Sequence, residues 1–229
     1  MTSEATDLAR QMVTGCMILS EQGLVEGFGH LSARLPDDRI LMTPRKALGL
    51  VRVEELLTLD LDGNVLGGEG RPAVESAMHL AIYRRRPDVQ AIARTHSRAC
   101  AVFGACNRAV RAVHRFGCHL GAEVPVFPDF TLVGAPELGD RVASFLGDRQ
   151  AVLLHGNGTL VTAPTLVEAV TRAIWLEESA TIQLAALSAG LEPQYLSAEE
   201  AQRAAAMDMP HEPIRAWEFY AALAAGDVV

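Results

Sequence analysis

Clusters of positive charge are missing from this sequence. No basic run is longer than Arg84-Arg85-Arg86, and 20 Lys and Arg against 28 Asp and Glu leave a formal net charge of −8. Nucleic acid is therefore not an expected partner, because phosphate backbones are held by grouped cations. Close cysteine pairs are missing too. Cys16, Cys100, Cys106 and Cys118 stand without any CxxC spacing, so they read as reduced core thiols rather than a disulfide or thiolate framework. Long apolar runs are equally lacking: the segment Ala180 to Leu187 is short and follows Glu177 and Glu178, whereas a membrane span needs about 20 apolar residues. With no secretory leader pattern either, the expectation is a cytoplasmic chain with no membrane partner. No repeat, linker or low-complexity tract interrupts it.

What is present is an apolar inventory large enough for a real core. At 229 residues and 49% hydrophobic content, the chain is expected to form one domain over 1–229, with a helical tail from about residue 197. So much apolar surface also favours burial between subunits.

Periodicity supplies the elements. Leu8, Met12, Val13, Cys16, Met17 and Leu19 share a helical face that stops at Gly23, a natural left-handed cap. Short alternating runs follow at 30–35, 39–42, 57–61 and 65–66, the signature of antiparallel hairpins. A helical pattern from Val74 gives way after Pro87-Asp88 to a buried strand over 89–95, and a second helix is expected over 97–106. An extended stretch near 109–114 and a turn at Pro125 to Pro128 lead to a clean strand over 151–154. Thr165 and Glu168 form a capping box that opens a long amphipathic helix, and Ser197 and Glu200 form another. Strands alternating with helices predict an α/β fold.

Three polar segments fall at strand ends, where such folds place ligands. Glu26 to Arg34 offers glycines for close backbone approach, with His30 and Ser32 alternating onto one strand face; it also reads as a plain helix-to-strand turn. Gly70 to Glu75 sets a carboxylate at the start of a helix, where it would also simply favour the helix dipole. Arg94-Thr95-His96-Ser97 and His155-Gly156-Asn157-Gly158 end two strands that could run parallel, although His and Asn are ordinary turn residues as well.

Their order decides between these readings. GFGHLSARLPDDRILMTP at 27–44, then Glu75 with His79 downstream, RPDVQAIARTHS at 86–97 and AVLLHGNGTLVTAPTLVEAV at 151–170 together resemble the class II aldolase/adducin family, over roughly Leu8 to Leu187. The resemblance implies a mixed central β-sheet layered by helices (αβα), assembled as a homotetramer with sites at subunit boundaries. It implies a divalent ion, generally zinc, held by an HxH pair and a later His, acting as Lewis acid on an enediolate or carbanion. The position of Glu75 serves there as acid/base or further ligand.

This sequence departs at those ligands. The HxH pair reads Arg94-Thr95-His96 and the later His position aligns with Asn157. Arginine has no lone pair to lend and asparagine binds zinc weakly, so the usual three-His site is not formed. Either a rewired cage of His96 with His155 holds Zn or Mn, with His114 or His119 also near, or no metal is used and Arg94 forks onto a substrate oxygen. The sugar-phosphate pattern is altered as well: Gly29-His30-Leu31-Ser32, Thr43-Pro44-Arg45-Lys46, and Ala73-Val74 where serines are usual. This resembles the branch of hydroxy-aromatic and pyridine carboxylate decarboxylases and suits a small carboxylate rather than a sugar phosphate. The expected catalytic residues are Glu75, Arg94 and His96, with His30, Ser32, Thr43, Arg45, His119 and Asn157 against a small-molecule substrate. The expected activity is a carbon–carbon lyase, a decarboxylase or retro-aldolase. A metal-independent isomerase or cyclase in the same pocket, or a non-catalytic adducin-like interaction module, is the alternative.

Overall fold

The computed structural model describes residues 3–130, 134–207 and 211–228. Helix α1 (Ser3–Glu21) buries Ala5, Ala9, Met12, Cys16 and Leu19, one face at helical spacing, while Met17 is 40% exposed and lies off the expected stripe. It ends as foreseen: Gly23 takes φ +68° and Leu24 N–H bonds back to the Leu19 carbonyl.

The hairpin signals become β1 (His30–Arg34), β2 (Ile40–Met42), β3 (Leu57–Leu59) and β4 (Val65–Gly67). Helix α2 (Ser76–Arg85), strand β5 (Ala91–Thr95) and helix α3 (Arg98–Ala105) follow. Of the extended stretch near 109–114 only β6 (Val110–Arg111) is strand, paired with β7 (Glu123–Val124) in a hairpin apart from the main sheet. The turn expected at Pro125 to Pro128 is instead strand β8 (Val126–Phe127). Helix α4 (Pro136–Leu146), for which the sequence pattern raised no expectation, leads to β9 (Ala151–Leu154), β10 (Thr159–Ala163) and the long helix α5 (Leu166–Ser188). Helices α6 (Ala198–Ala206) and α7 (Glu212–Ala225) close the chain.

Among the described residues the main sheet has eight strands in the order β4-β3-β2-β1-β5-β10-β9-β8. Every pairing is antiparallel except β8 with β9, which makes the sheet mixed. Strands β5 and β9 run parallel, as expected, but β10 lies between them.

Alternation along the strands divides the core. Leu31, Ala33, Ala91, Ala93, Val161 and Ala163 join one apolar cluster with α1, α3 and α5. Ile92, Val152, Leu154 and Leu160 join another with α2 and α4. The result is a sheet between two helical layers. Because side chains alternate at a period of two, His30, Ser32 and Arg94 necessarily fall on the α2 side. Burial of Ile92 and Leu160 beside α2, at roughly 1.5–3 kcal/mol per fully buried aliphatic side chain, holds that register.

The caps follow the sequence with one amendment. Ser197 and Glu200 make the full reciprocal box. Thr165 accepts from Glu168 N–H, but the Glu168 carboxylate accepts from the Thr165 hydroxyl and pairs with Arg172 rather than returning to the backbone. Helix α7 packs on α1 and α5, with Trp217 and Tyr220 against the main cluster, so Tyr220 serves as a packing anchor in its own chain. All four cysteines are free; Cys106 is exposed rather than in the core. Among the described residues no helix is long and apolar enough to cross a membrane.

Candidate active site

Helix α2 begins where the sequence set its carboxylate, but for a different purpose. Glu75 occupies the N-cap position without capping any helix N–H. Its side chain turns instead to the sheet and is held from three sides. Asn157 Nδ2 donates to Oε1 at 2.8 Å, Arg94 Nη2 stands 3.1 Å from Oε2, and His30 Nε2 stands 3.5 Å from the same oxygen. These partners meet because β1 and β5 pair His30 with Arg94, and because the tight 155–158 turn between β9 and β10 delivers Asn157 to the same edge. Gly158 at φ +76° is needed there, since a side chain would collide with the Thr95 carbonyl and the Arg94 guanidinium.

A cavity of about 570 Å³ opens in front of this carboxylate. Its lining includes Phe28, His30, Arg45, Lys46, Ala73, Val74, Glu75, His96 and Asn157. Phe28 is 76% and Val74 42% exposed, so the mouth is apolar while the floor is polar. Lys46 is the only lysine in the chain and pairs with Glu55 at 2.6 Å. The proportion of apolar wall to a few convergent polar groups is that of a small-ligand site.

The electrostatics separate the groups. Burial pushes the Glu75 pKa up, but the His30 hydrogen bond, the Arg94 charge and the Asn157 amide outweigh it and hold the carboxyl down at about 2. Burial, reinforced by the Arg94 charge, lowers His96 to about 4. Burial likewise lowers His30, against the opposing pull of Glu75. At neutral pH Glu75 is therefore an ionised carboxylate backed by the Arg94 guanidinium, and the His30 and His96 imidazoles beside it on the cavity lining are neutral.

Several expected site residues are thus together: Glu75, His30, His96, Arg45 and Asn157 all line the cavity. Arg94 does not. It is fully buried behind Glu75, with Nη1 on the Thr95 carbonyl, so the expected fork onto a substrate oxygen is replaced by a grip on the carboxylate. Ser32 is fully buried and bonds His79 and Tyr83 rather than facing the cavity. Thr43 is spent on the Leu31 backbone, accepting from its N–H and donating to its carbonyl. His119 lies against the Trp175 ring and Glu212, and His114 bonds Ser179; neither is among the cavity's lining residues. His155 packs edge-on to Phe130. It does not share a strand face with Asn157, because Gly156 at φ +63° turns the chain between them.

His79 and Tyr83 carried no expected role, yet they form the buried backing of the site. Their signal was the spacing 75, 79, 83, one stripe of α2.

The donor set does not fit the implied zinc site. Among the described residues no group of three or more His, Cys, Asp or Glu is placed to hold a metal ion. Arg94 and Asn157, at two of the expected ligand positions, both point their nitrogens at Glu75 and leave His96 alone.

A family model described as the Class II Aldolase and Adducin N-terminal domain matches residues 10–184. The chain belongs to the class II aldolase and adducin family. Within it, a 3-oxo-tetronate 4-phosphate decarboxylase of Haemophilus influenzae is 33% identical over 186 residues, 77% of this chain and 88% of the relative. A 3,4-dihydroxyphthalate decarboxylase of Arthrobacter keyseri is 31% identical over 199 residues, 80% of each chain. Among solved structures an L-fuculose 1-phosphate aldolase superposes with a TM-score of 0.81 at 28% identity, covering 88% of this chain and 95% of the other. These class II aldolase relatives are decarboxylases and aldolases, which supports lyase activity in general.

Proposed function

We propose that the Glu75 cavity is the active site of a carbon–carbon lyase that cleaves a small carboxylate- or carbonyl-bearing substrate through an enolate or carbanion. The observation that carries this reading is an ionised carboxylate, held from behind, in a cavity whose lining it shares with a neutral His96 and with Arg45 and Lys46. Substrates bearing a carboxylate gain charge-assisted hydrogen bonds at Arg45 and Lys46. Apolar Phe28, Ala73 and Val74 accept a short acyl chain or small ring.

A carboxylate that begins ionised begins as a base. In a retro-aldol cleavage, Glu75 takes the hydroxyl proton as the carbon–carbon bond breaks, and the electron pair moves into the neighbouring carbonyl. The neutral His96 ring donates an N–H to that oxygen, as a neutral imidazole does where imidazolium would be too acidic to persist. Glu75 then returns its proton to the carbanion. In decarboxylation the same pair of electrons leaves the departing CO₂, and Glu75 can only protonate the carbanion if the substrate's own hydroxyl has first supplied the proton. A hydroxylated substrate suits both routes. Arg94 acts through Glu75: it weakens the base, but when Glu75 is neutralised the positive charge stays behind the cavity and faces the new enolate. No step runs through a metal ion. An assembly of four copies, implied by the family resemblance, is part of the same reading.

The test is turnover on a panel of hydroxylated oxo acids and hydroxy-aromatic carboxylates, before and after exhaustive chelation. Cleavage that survives chelation and falls about 10²- to 10⁴-fold in Glu75→Gln, with ligand binding retained, is the expected result. Turnover unchanged in Glu75→Gln removes Glu75 from the mechanism, and loss on chelation removes the metal-free route.

A further inference from the structure

A hydrogen-bonded row continues from Glu75 into the protein, past anything the proposed reaction uses. Four residues of helix rise about 6 Å and two residues of strand about 6.7 Å. The stripe Glu75, His79, Tyr83 on α2 therefore keeps pace with the stripe His30, Ser32, Arg34 on β1, and the two interlock. His30 Nδ1 lies 2.8 Å from His79 Nε2, His79 Nδ1 lies 2.7 Å from Ser32 Oγ, and Ser32 Oγ lies 2.9 Å from the Tyr83 hydroxyl. At the inner end Arg34 donates to the Tyr83 carbonyl at 2.7 Å and covers its ring at 5.1 Å. His79 and Ser32 are fully buried, Tyr83 is 1% exposed and His30 6%.

Such a row can be donated along in only two directions. In the first, the Tyr83 hydroxyl donates to Ser32, Ser32 to His79 Nδ1, His79 Nε2–H to His30 Nδ1, and His30 Nε2–H faces the Glu75 carboxylate. In the second, every proton is reversed. One hydroxyl proton, that of Tyr83 or that of Ser32 according to which donates to the other, then points at no acceptor, since His79 and Tyr83 are the only side-chain hydrogen-bond partners of Ser32 and Ser32 is the only one of the Tyr83 hydroxyl among the described residues, and a bare His30 nitrogen faces the Glu75 anion. Both ends penalise the second direction, one by a buried unsatisfied donor and the other by a lone pair against a carboxylate. Burial also lowers the pKa of both His30 and His79, so neither ring carries the second proton that would blur the choice.

We propose that Ser32, His79 and Tyr83 are positioning residues whose single direction of donation fixes the His30 tautomer and keeps its Nε2–H on Glu75. The catalytic consequence rests on Glu75 being the base of the reaction above; the tautomer itself does not. The row is a tuning device for one carboxylate, reaching three residues beyond the cavity wall.

Full-chain protein labelled with nitrogen-15 histidine provides the test, through two-bond proton–nitrogen correlation spectra with His30 assigned from a His30→Asn variant. His30 and His79 are expected to show protonated Nε2 and bare Nδ1. Tyr83→Phe, which keeps the ring and its packing, and Ser32→Ala should each convert His30 to a mixture of tautomers. A wild-type His30 protonated at Nδ1, or a His30 pattern unmoved by both substitutions, overturns the proposal. With a cleaved substrate, both variants should lower kcat about tenfold at unchanged KM. A tautomer that moves while kcat stays constant keeps the row and removes its catalytic consequence, whereas turnover unchanged in Glu75→Gln removes Glu75 from proton transfer and leaves the tautomer result standing, so the two ideas fail separately.

Discussion

Two regions of this molecule are built from the same three side chains. At the cavity, Glu75 lies between Arg94 at 3.1 Å and His30 at 3.5 Å. Beneath the C-terminal helices, Glu212 lies between Arg115 at 2.8 Å and His119 at 3.3 Å. By bond lengths alone the second triad is the better made. Its surroundings give it a different role, for the Arg115 side chain is 39% exposed whereas that of Arg94 is wholly buried. Glu212 opens helix α7 and ties it to the short helix at Phe116–Leu120, a link between segments of one chain. Glu75 also joins distant segments, the start of α2 to β1, β5 and the 155–158 turn, but unlike Glu212 it lines a cavity while its partners hold it from behind. Residue types do not mark a site, but the dryness on one side of a carboxylate and the open space on the other do.

Removing the cation should separate the two most widely in stability. Arg94→Met leaves Glu75 as a buried charge without its partner, a loss of about 3–5 kcal/mol. Arg115→Met removes a partly exposed pair and should cost about 1 kcal/mol or less after solvent screening. Denaturant midpoints of the two variants check this. Adding Glu75→Gln to Arg94→Met should restore much of the first loss, because no unpartnered charge then remains. Equal midpoints for the two single variants would erase the distinction between the triads.

Acid should find the cavity first. His30, His79 and His96 all have lowered pKa values in the folded protein, chiefly through burial. The unfolded chain therefore binds protons more readily, and the stability these groups carry is complete above the unfolded value of 6.5 and lost as pH falls below it. Glu75 adds a second loss between its ordinary 4.5 and about 2. The expected denaturation midpoint is level near neutrality and falls as soon as the medium becomes mildly acidic. A midpoint level from about pH 7 to about pH 5 would contradict neutral, buried imidazoles.

Much of this arrangement was legible before any fold was seen. Alternation in β1 and β5 put His30, Ser32 and Arg94 on one face, and the family's order of motifs gathered Glu75, His96 and Asn157. Strand β8 was not legible because Pro125 and Pro128 read as a turn; at a sheet edge, proline costs no pairing. The link between His155 and Asn157 failed on a single backbone angle, at Gly156, which no alternation rule registers. Arg94 was placed correctly on its face but assigned the wrong partner, since which carboxylate a guanidinium reaches depends on where α2 begins. His119, expected from the family resemblance as a stand-in for proton-donating tyrosines of a neighbouring subunit, is held in its own chain by Trp175 and Glu212 against α5 and does not line that chain's cavity.

The smallest effect tests that last point. Glu212→Gln keeps the shape of the side chain, removes the charge shared by Arg115 and His119, and leaves the Glu75 cavity untouched. A shift of about 1 kcal/mol or less in stability is expected, with turnover the same as wild type. The comparison fails in an informative way if turnover drops instead. His119 would then act on a substrate it does not face in its own chain, and only a second copy bringing that surface to the cavity could account for it. Measuring turnover of Glu212→Gln across a dilution series distinguishes this outcome, because a site completed by a neighbour loses activity as the assembly comes apart while a self-contained one does not.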